Sequence, residues 1–465
     1  MKALNPVLIS GREVFPLIEG GKGISVSNGE SAGAWAASGG IGTFSGVNAD
    51  SRDPDGRMIP QNYFGRTRRD RHEELIQFSV AGGIYQAKIA YETASGKGGL
   101  HMNVLWEMGA CERVLTGILE GARGLFHGIT CGAGMPYRLG EIAARFGVYY
   151  YPIISSARAF RALWKRAYHK FDNWMGAVVY EDPWLAGGHN GISNNEDPLR
   201  PEPPLPRVIE LRRQMNEFGL DRTPIIMAGG VWFLREWDDW IDNKEVGPIA
   251  FQFGTRPLLT QESPISDAWK QRLLTLRKGD VLLNRFSPTG FWSSAVKNAF
   301  IQELKERNER QIPFTEEAVG EHTTAFEYGI RKRTVYVTPA DAAHGRSWRT
   351  QGYTDAMKTP DSTLIFVTSD QANQIRKDQI DCMGCLSQCR FSNWAQTETG
   401  TTGHKADPRS YCIQKTLQEI SHDGGLDSNL MFAGNAAYRF ASDPFYSNGF
   451  IPTVKELVNR ILTGD

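Results

Sequence analysis

The sequence predicts an α/β protein, a parallel (β/α)8 barrel with inserted loops and an added C-terminal region. Three late segments carry that expectation. Gly176 to Tyr180 reads as a short apolar strand, followed by Ala186-Gly-Gly-His-Asn-Gly191. Thr223 to Ala228 reads as a buried strand ending in Gly229-Gly230, and Gly247 to Phe253 as another ending in Gly254-Thr255. Helical segments separate the three. Strand, glycine-rich end, helix, strand is the repeat of a barrel whose working face lies at the C-terminal strand ends.

The remaining elements follow in order. Phe15 to Ile18 is the first strand, with a short helix over Ser31 to Ser38 against it. Residues 44–100 read as a long insertion, rich in Gly, Asp and Arg at first, with a helix or strand through Leu75 to Val80. Met102 to Leu105 restores the barrel pattern. Val114, Leu115, Ile118, Leu119 and Ala122 recur at helical spacing. Leu125 to Thr130 is the next strand, ending in Cys131-Gly-Ala-Gly134. Phe160, Leu163, Trp164 and Ala167 line one helix face, and Val208, Leu211, Met215 and Phe218 another. Further on come a charged helix (Glu303 to Arg310), a β-rich patch (Thr334 to Thr338) and an apolar strand (Thr363 to Val367). The tail from Thr453 to Leu462 opens with a capping threonine three residues before Glu456, and should pack back onto the barrel.

The chain has 465 residues, enough for a barrel of about 250 residues plus insertions and an added region. This divides it into a barrel over 1–305, an added Cys-containing region over 306–430 and a helical segment over 431–465. Lys plus Arg equal Asp plus Glu at 52 each, so no overall basic field points to nucleic acid or a membrane surface. The mixed cluster from Arg66 to Glu74 reads as a solvated helix start. No apolar run approaches the ~20 residues that span a bilayer, and the N-terminus lacks a signal-peptide pattern. A cytoplasmic protein is expected.

Candidate chemistry gathers at two places. In the loop after Tyr180, glycines permit close backbone approach to a ligand, and His189 in their midst can exchange protons near neutral pH. Gly229, Gly230, Gly254 and Thr255 end consecutive late strands, where free backbone N–H groups can cradle a phosphate. The second place is Asp381-Cys-Met-Gly-Cys-Leu-Ser-Gln-Cys-Arg390 with Cys412. Cys382, Cys385, Cys389 and Cys412 are spaced C-x2-C-x3-C-x22-C, which suits a [4Fe–4S] cluster or a zinc ion. Three thiolates with His404 would serve zinc equally, and unliganded or redox thiols are the third reading. Disulfides are disfavoured in a cytosolic chain. Cys111 and Cys131 read as small core residues, Cys131 beside the proposed pocket. Gly40-Ile-Gly-Thr-Phe-Ser-Gly46 imitates a dinucleotide fingerprint, but its third glycine comes one position late and a helix precedes it.

These blocks, in order, resemble the nitronate monooxygenase family, also called 2-nitropropane dioxygenases. The matching pieces are Pro16 to Gly23, Ala36 to Thr43, Asn103-Val-Leu, Tyr150 to Ser155, Ala186 to Gly191, Pro224 to Gly230 and Phe251 to Ser263. They cover about 8–305 and resume weakly at 430–465, leaving 306–430 outside. The family consists of FMN-dependent TIM barrels related to flavin-dependent enoyl-ACP reductases of bacteria. The resemblance implies FMN as cofactor. It places Gly20, Gly21 and Lys22 in the first-strand loop against the isoalloxazine ring, Asn103 near that ring, and Gly132 and Ala133 on a pocket loop. Gly188 and His189 fall over the reactive face, and Gly229, Gly230, Gly254 and Thr255 at the phosphate. The glycines from Gly40 to Gly46 would then form a barrel turn beside the flavin.

Several pocket positions depart from the family. Leu185 stands where an acidic residue usually precedes Ala-Gly-Gly-His, and the first loop lacks its usual methionine. The third-strand loop is His127 to Pro136 rather than an aromatic-rich form. The resemblance implies an FMN-dependent oxidoreductase that uses O2 to turn a small alkyl nitronate into a carbonyl compound and nitrite. An NAD(P)H-dependent flavin reductase of enoyl thioesters or quinones is the alternative, and a flavin or metal sensor a third. The added region would cover the active face or join copies in a homo-oligomer.

Overall fold

The computed structural model describes residues 2–329, 331–422 and 424–464. Eight parallel strands close a barrel: β1 (Leu17–Glu19), β2 (Ile41–Ser45), β3 (Gly99–Leu105), β4 (Gly128–Gly132), β5 (Tyr149–Ile154), β6 (Val178–Glu181), β7 (Ile225–Ala228) and β8 (Ile249–Phe253). Closure comes from β8 pairing with β1, Phe251 opposite Leu17 and Phe253 opposite Glu19. Alternation along the strands sorts the side chains. Ile18, Ile41, Tyr151, Val179, Ile226 and Ala250 fill the interior, while Val178 and Tyr180 join the outer core under the helices. By the same alternation Glu181 lies one step above Val179, at the mouth of the barrel.

The helices pack as the apolar spacing requires. Helix α1 (Gly29–Ala37) follows β1, and α2 (Arg68–Ala94) follows β2. Then come α3 (Cys111–Gly121), α4 (Leu139–Phe146), α5 (Ala157–Arg166) and α6 (Pro204–Glu217). Val114, Leu115, Ile118 and Leu119 are the buried face of α3, and Phe160, Leu163 and Trp164 that of α5. Each such side chain contributes about 1.5–3 kcal/mol on burial.

Several local expectations are corrected. Much of the supposed insertion over 44–100 is α2, the barrel's own helix, and the loop up to Thr67 is the extra part. Leu75 to Val80 is helical, and Thr67 and Asp70 form a reciprocal cap at its start. The cluster at Arg66 to Glu74 is not merely solvated, because Arg68 and Arg71 reach the cysteine loop. Gly40 to Gly46 is no turn beside a cofactor, since Gly42 lies within β2. A Cβ there would stand 1.7 Å from the Ala32 carbonyl oxygen, so Gly42 serves close helix–strand packing. An N-terminal hairpin, Val7–Ile9 with Arg12–Val14, was not anticipated; Ile9 and Val14 join the interior cluster.

Beyond α7 (Asp267–Leu273), a hairpin of Val281–Asn284 and Ser293–Val296 adds Gly188–His189 as a third strand, with Ser293 opposite His189. Helix α8 (Ala299–Glu309) leads into a small α/β layer. Its antiparallel sheet joins Gln311–Pro313, Thr363–Val367 and Asp355–Lys358 beside the hairpin Thr324–Tyr328/Arg333–Val337. Helices α9 (Pro339–Thr350) and α10 (Ser369–Ile380) accompany it. Leu364 and Phe366 face a separate core with Ile312, Phe326 and Val337, while Ile365 and Val367 face the main one. The chain then returns to the barrel with α11 (Ile413–Gln418) and ends in α12 (Val454–Leu462). Thr453 and Glu456 cap α12 reciprocally, and the helix packs on α1, as expected of the tail. Among the described residues no helix is long and apolar enough to cross a membrane.

Candidate active site

One cavity opens at the C-terminal ends of the barrel strands and measures about 1560 Å³ with its mouth included. Most of the residues singled out in the sequence converge on it. Gly21, Lys22, Asn103, Gly132, Ala133, Gly188, His189, Gly229, Gly230, Gly254 and Thr255 all line its wall. Gly20 does not: its N–H bonds the Phe253 carbonyl at 2.9 Å, closing β1 on β8. Lys22 has its ammonium 2.6 Å from the buried carboxylate of Glu19, so its charge is already partnered.

His189 is fixed from several sides. Its Nε2 shares a 2.6 Å hydrogen bond with the Ser287 hydroxyl, which in turn bonds Thr289 at 2.8 Å. The ring of Phe432 meets the imidazole edge-on at 5.4 Å. Loss of water around the ring lowers its pKa to about 4. His189 is therefore neutral at ordinary pH and acts through hydrogen bonds and proton exchange, not as a fixed cation.

Glu181, which sequence reasoning missed, faces the same cavity from the end of β6. Burial first, and then neighbouring Asp182, raise its pKa to about 8. Its accessible atoms face the cavity rather than bulk water, which reconciles partial exposure with strong desolvation. Asn103 and Gln252 supply amide groups at the barrel mouth. The Thr130 hydroxyl donates to Asn103 Oδ1 at 3.1 Å and fixes that amide.

The glycine ends form an open backbone cradle. Gly229 and Gly230 hold φ of 96° and 77°, which only glycine adopts freely. A Cβ on Gly254 would meet nothing within 4 Å, leaving its peptide open to a ligand. Thr255 Oγ1 accepts the Gly434 N–H at 3.0 Å, tying the C-terminal segment across the strand ends. The added region takes part too, since Cys385, Leu386, Ile413, Leu417 and Ile420 line the cavity. Part of it thus covers the active face. Ser287, Ile413, Leu417 and Ile420 come from distant segments, and no local motif announced their place at the cavity.

The cysteines also converge, without forming a closed ion cage. Cys382, Cys385 and Cys389 are buried and Cys412 partly so; all are free thiols. His404 is exposed. Among the described residues no group of three or more His, Cys, Asp or Glu is placed to hold a metal ion.

The family model for nitronate monooxygenase matches residues 127–464. The chain belongs to the nitronate monooxygenase family. It is an enzyme and an oxidoreductase of that family, and the match runs through 306–430, which the sequence motifs had left outside. No curated protein matches it. FabK from Thermotoga maritima shares the fold, with a TM-score of 0.53 at 14% identity over 97% of this chain and 92% of that one. A nitroalkane oxidase from Streptomyces ansochromogenes overlays at a TM-score of 0.45 and 18% identity, covering 62% and 78%. The enoyl reductase domain of MlnA from Bacillus amyloliquefaciens gives 0.45 at 11%, covering 97% and 95%.

Proposed function

We propose that this chain binds FMN in the cavity and oxidises alkyl nitronates with O2 to a carbonyl compound and nitrite. The observation that carries the reading is a neutral, desolvated His189 facing a cavity whose opposite strand ends are glycine cradles. The residues fit the cofactor. Gly229, Gly230, Gly254 and Thr255 offer backbone N–H groups and a hydroxyl for the phosphate. Asn103 and Gln252 can hydrogen-bond the polar edge of a flat ring, and the apolar Ile24, Val26 and Val47 can cover it.

When bound, FMN would supply the electron chemistry that side chains cannot. The protein's own part is orientation and proton handling. His189 can hold a nitro oxygen or exchange the proton on the adjacent carbon, because the Ser287 hydroxyl can either give or accept a hydrogen bond at Nε2. Protonated Glu181 keeps a negative charge away from an anionic substrate. Leu258, Leu386 and Phe432 exclude water while leaving room for O2.

Air-saturated protein given propyl nitronate should release nitrite and consume O2. His189→Ala should retain FMN and lose turnover; unchanged turnover would remove the proposed role of this residue.

A further inference from the structure

The thiols of the cysteine loop are unused by the flavin reading. The loop follows α10, folds back over the barrel mouth, and is held there by hydrogen bonds with α2 and with the turn that follows β3. Arg68 donates to the Gln379 and Ser392 carbonyls at 2.8 and 2.9 Å, and Arg71 to the Ile380 and Cys382 carbonyls at 2.8 and 3.2 Å. His72 Nδ1 lies 3.2 Å from the Met383 carbonyl. The Gly109 N–H bonds the Cys385 carbonyl at 2.9 Å, and the Ser387 N–H bonds Glu107 at 2.7 Å. Such anchoring fixes the backbone on which the thiols sit, as a ligand site requires.

One of the sulfurs is met by two donors. Cys382 accepts from the Ser392 hydroxyl at 3.0 Å and from the Gly384 N–H at 3.4 Å. Cys382 thus has two donors directed at its sulfur, an arrangement that suits a ligating sulfur. The four sulfurs are also near enough to sense one another's charge, Cys385 with Cys412, Cys389 and Cys382.

We propose that Cys382, Cys385, Cys389 and Cys412 ligate a [4Fe–4S] cluster beside the flavin cavity, with Cys385 belonging to both. Spacing and placement select a cluster over a single zinc ion. At Zn–S distances of about 2.3 Å a tetrahedral zinc gathers its sulfurs tightly, and no such closed group is present among the described residues. A cluster spreads its ligands over four irons. Zinc with His404 is further disfavoured because that side chain is exposed. The site stands apart from the flavin reading, and neither depends on the other.

The test is made on the full chain, purified anaerobically and reconstituted with ferrous ion and sulfide. The expected result is about four irons and four acid-labile sulfides per chain, with a low-temperature paramagnetic signal after dithionite. Cys389→Ser should lose most of the iron while keeping its FMN, and Cys111→Ser should keep both. One zinc per chain, iron without sulfide, or no metal after reconstitution would overturn the cluster, as would full iron in Cys389→Ser. Because the wild-type assay decides by itself, a variant that fails to fold does not rescue the proposal. Loss of the flavin assignment alone would leave iron and sulfide unchanged.

Discussion

Ser287→Ala isolates the support behind the proposed proton-handling group. In the native protein the Ser287 hydroxyl is 2.6 Å from His189 Nε2. Removing it deletes a bond with a net value of about 0.5–1.5 kcal/mol, and a desolvated nitrogen left without a partner costs about 1–3 kcal/mol. At about 1.4 kcal/mol per tenfold, full expression of the second cost in the rate lowers kcat about 5- to 140-fold. Thr289 bonds the same hydroxyl and lines the cavity, so it can partly replace the partner and favour the lower end. His189→Ala should cost more, about 10²- to 10⁴-fold. Steady-state nitrite release by both single variants and the double variant decides the matter. If Ser287 acts through His189, its loss adds little in the His189→Ala background. Equal losses in both backgrounds, or a wild-type rate in Ser287→Ala, would refute the reasoning.

Other consequences concern pH and cofactor binding. With its pKa lowered to about 4, His189 stays neutral through the ordinary imidazole range, so kcat/KM should show no histidine-like loss near pH 6.5 and fall only toward pH 4. The unfolded chain binds this proton first, so the histidine's contribution to stability is present above about 6.5 and lost as pH falls through about 4; thermal melts of wild type and His189→Ala compare it. Glu181 has the opposite sign: the folded chain holds a proton up to about pH 8 that the unfolded chain releases earlier, so stability declines as pH rises from about 4.5 to 8. Glu181→Gln should remove that decline, and should also remove a loss of nitronate turnover above pH 8. Gly254→Ala places a Cβ in the open cradle without touching protein; FMN affinity should fall about tenfold, a loss of about 1.4 kcal/mol, with the melting temperature of the apoprotein unchanged.

Much of this molecule was legible from local pattern. The late strands, their glycine ends and His189 lie within short stretches, and the structure brings them to one cavity. Helix α12 was readable to its cap because Thr453 and Glu456 sit three residues apart. What escaped depends on distance along the chain. Ser287 meets His189 across 98 positions, and Arg68 meets Ser392 across 324; neither leaves a periodic signal. In the sequence Glu181 directly follows an apolar strand, and only closure of the barrel turns it into the cavity and desolvates it. Gly42 was misread because the closeness of α1, not a ligand, excludes its side chain.

Anaerobic titration of the purified protein, followed through flavin absorbance, tests the central claim most directly. Bleaching by propyl nitronate alone, reversed by O2 with nitrite released, is the predicted result. Indifference to nitronate with reduction only by NADH or NADPH would contradict it and assign the same cavity to a pyridine-nucleotide-dependent reductase.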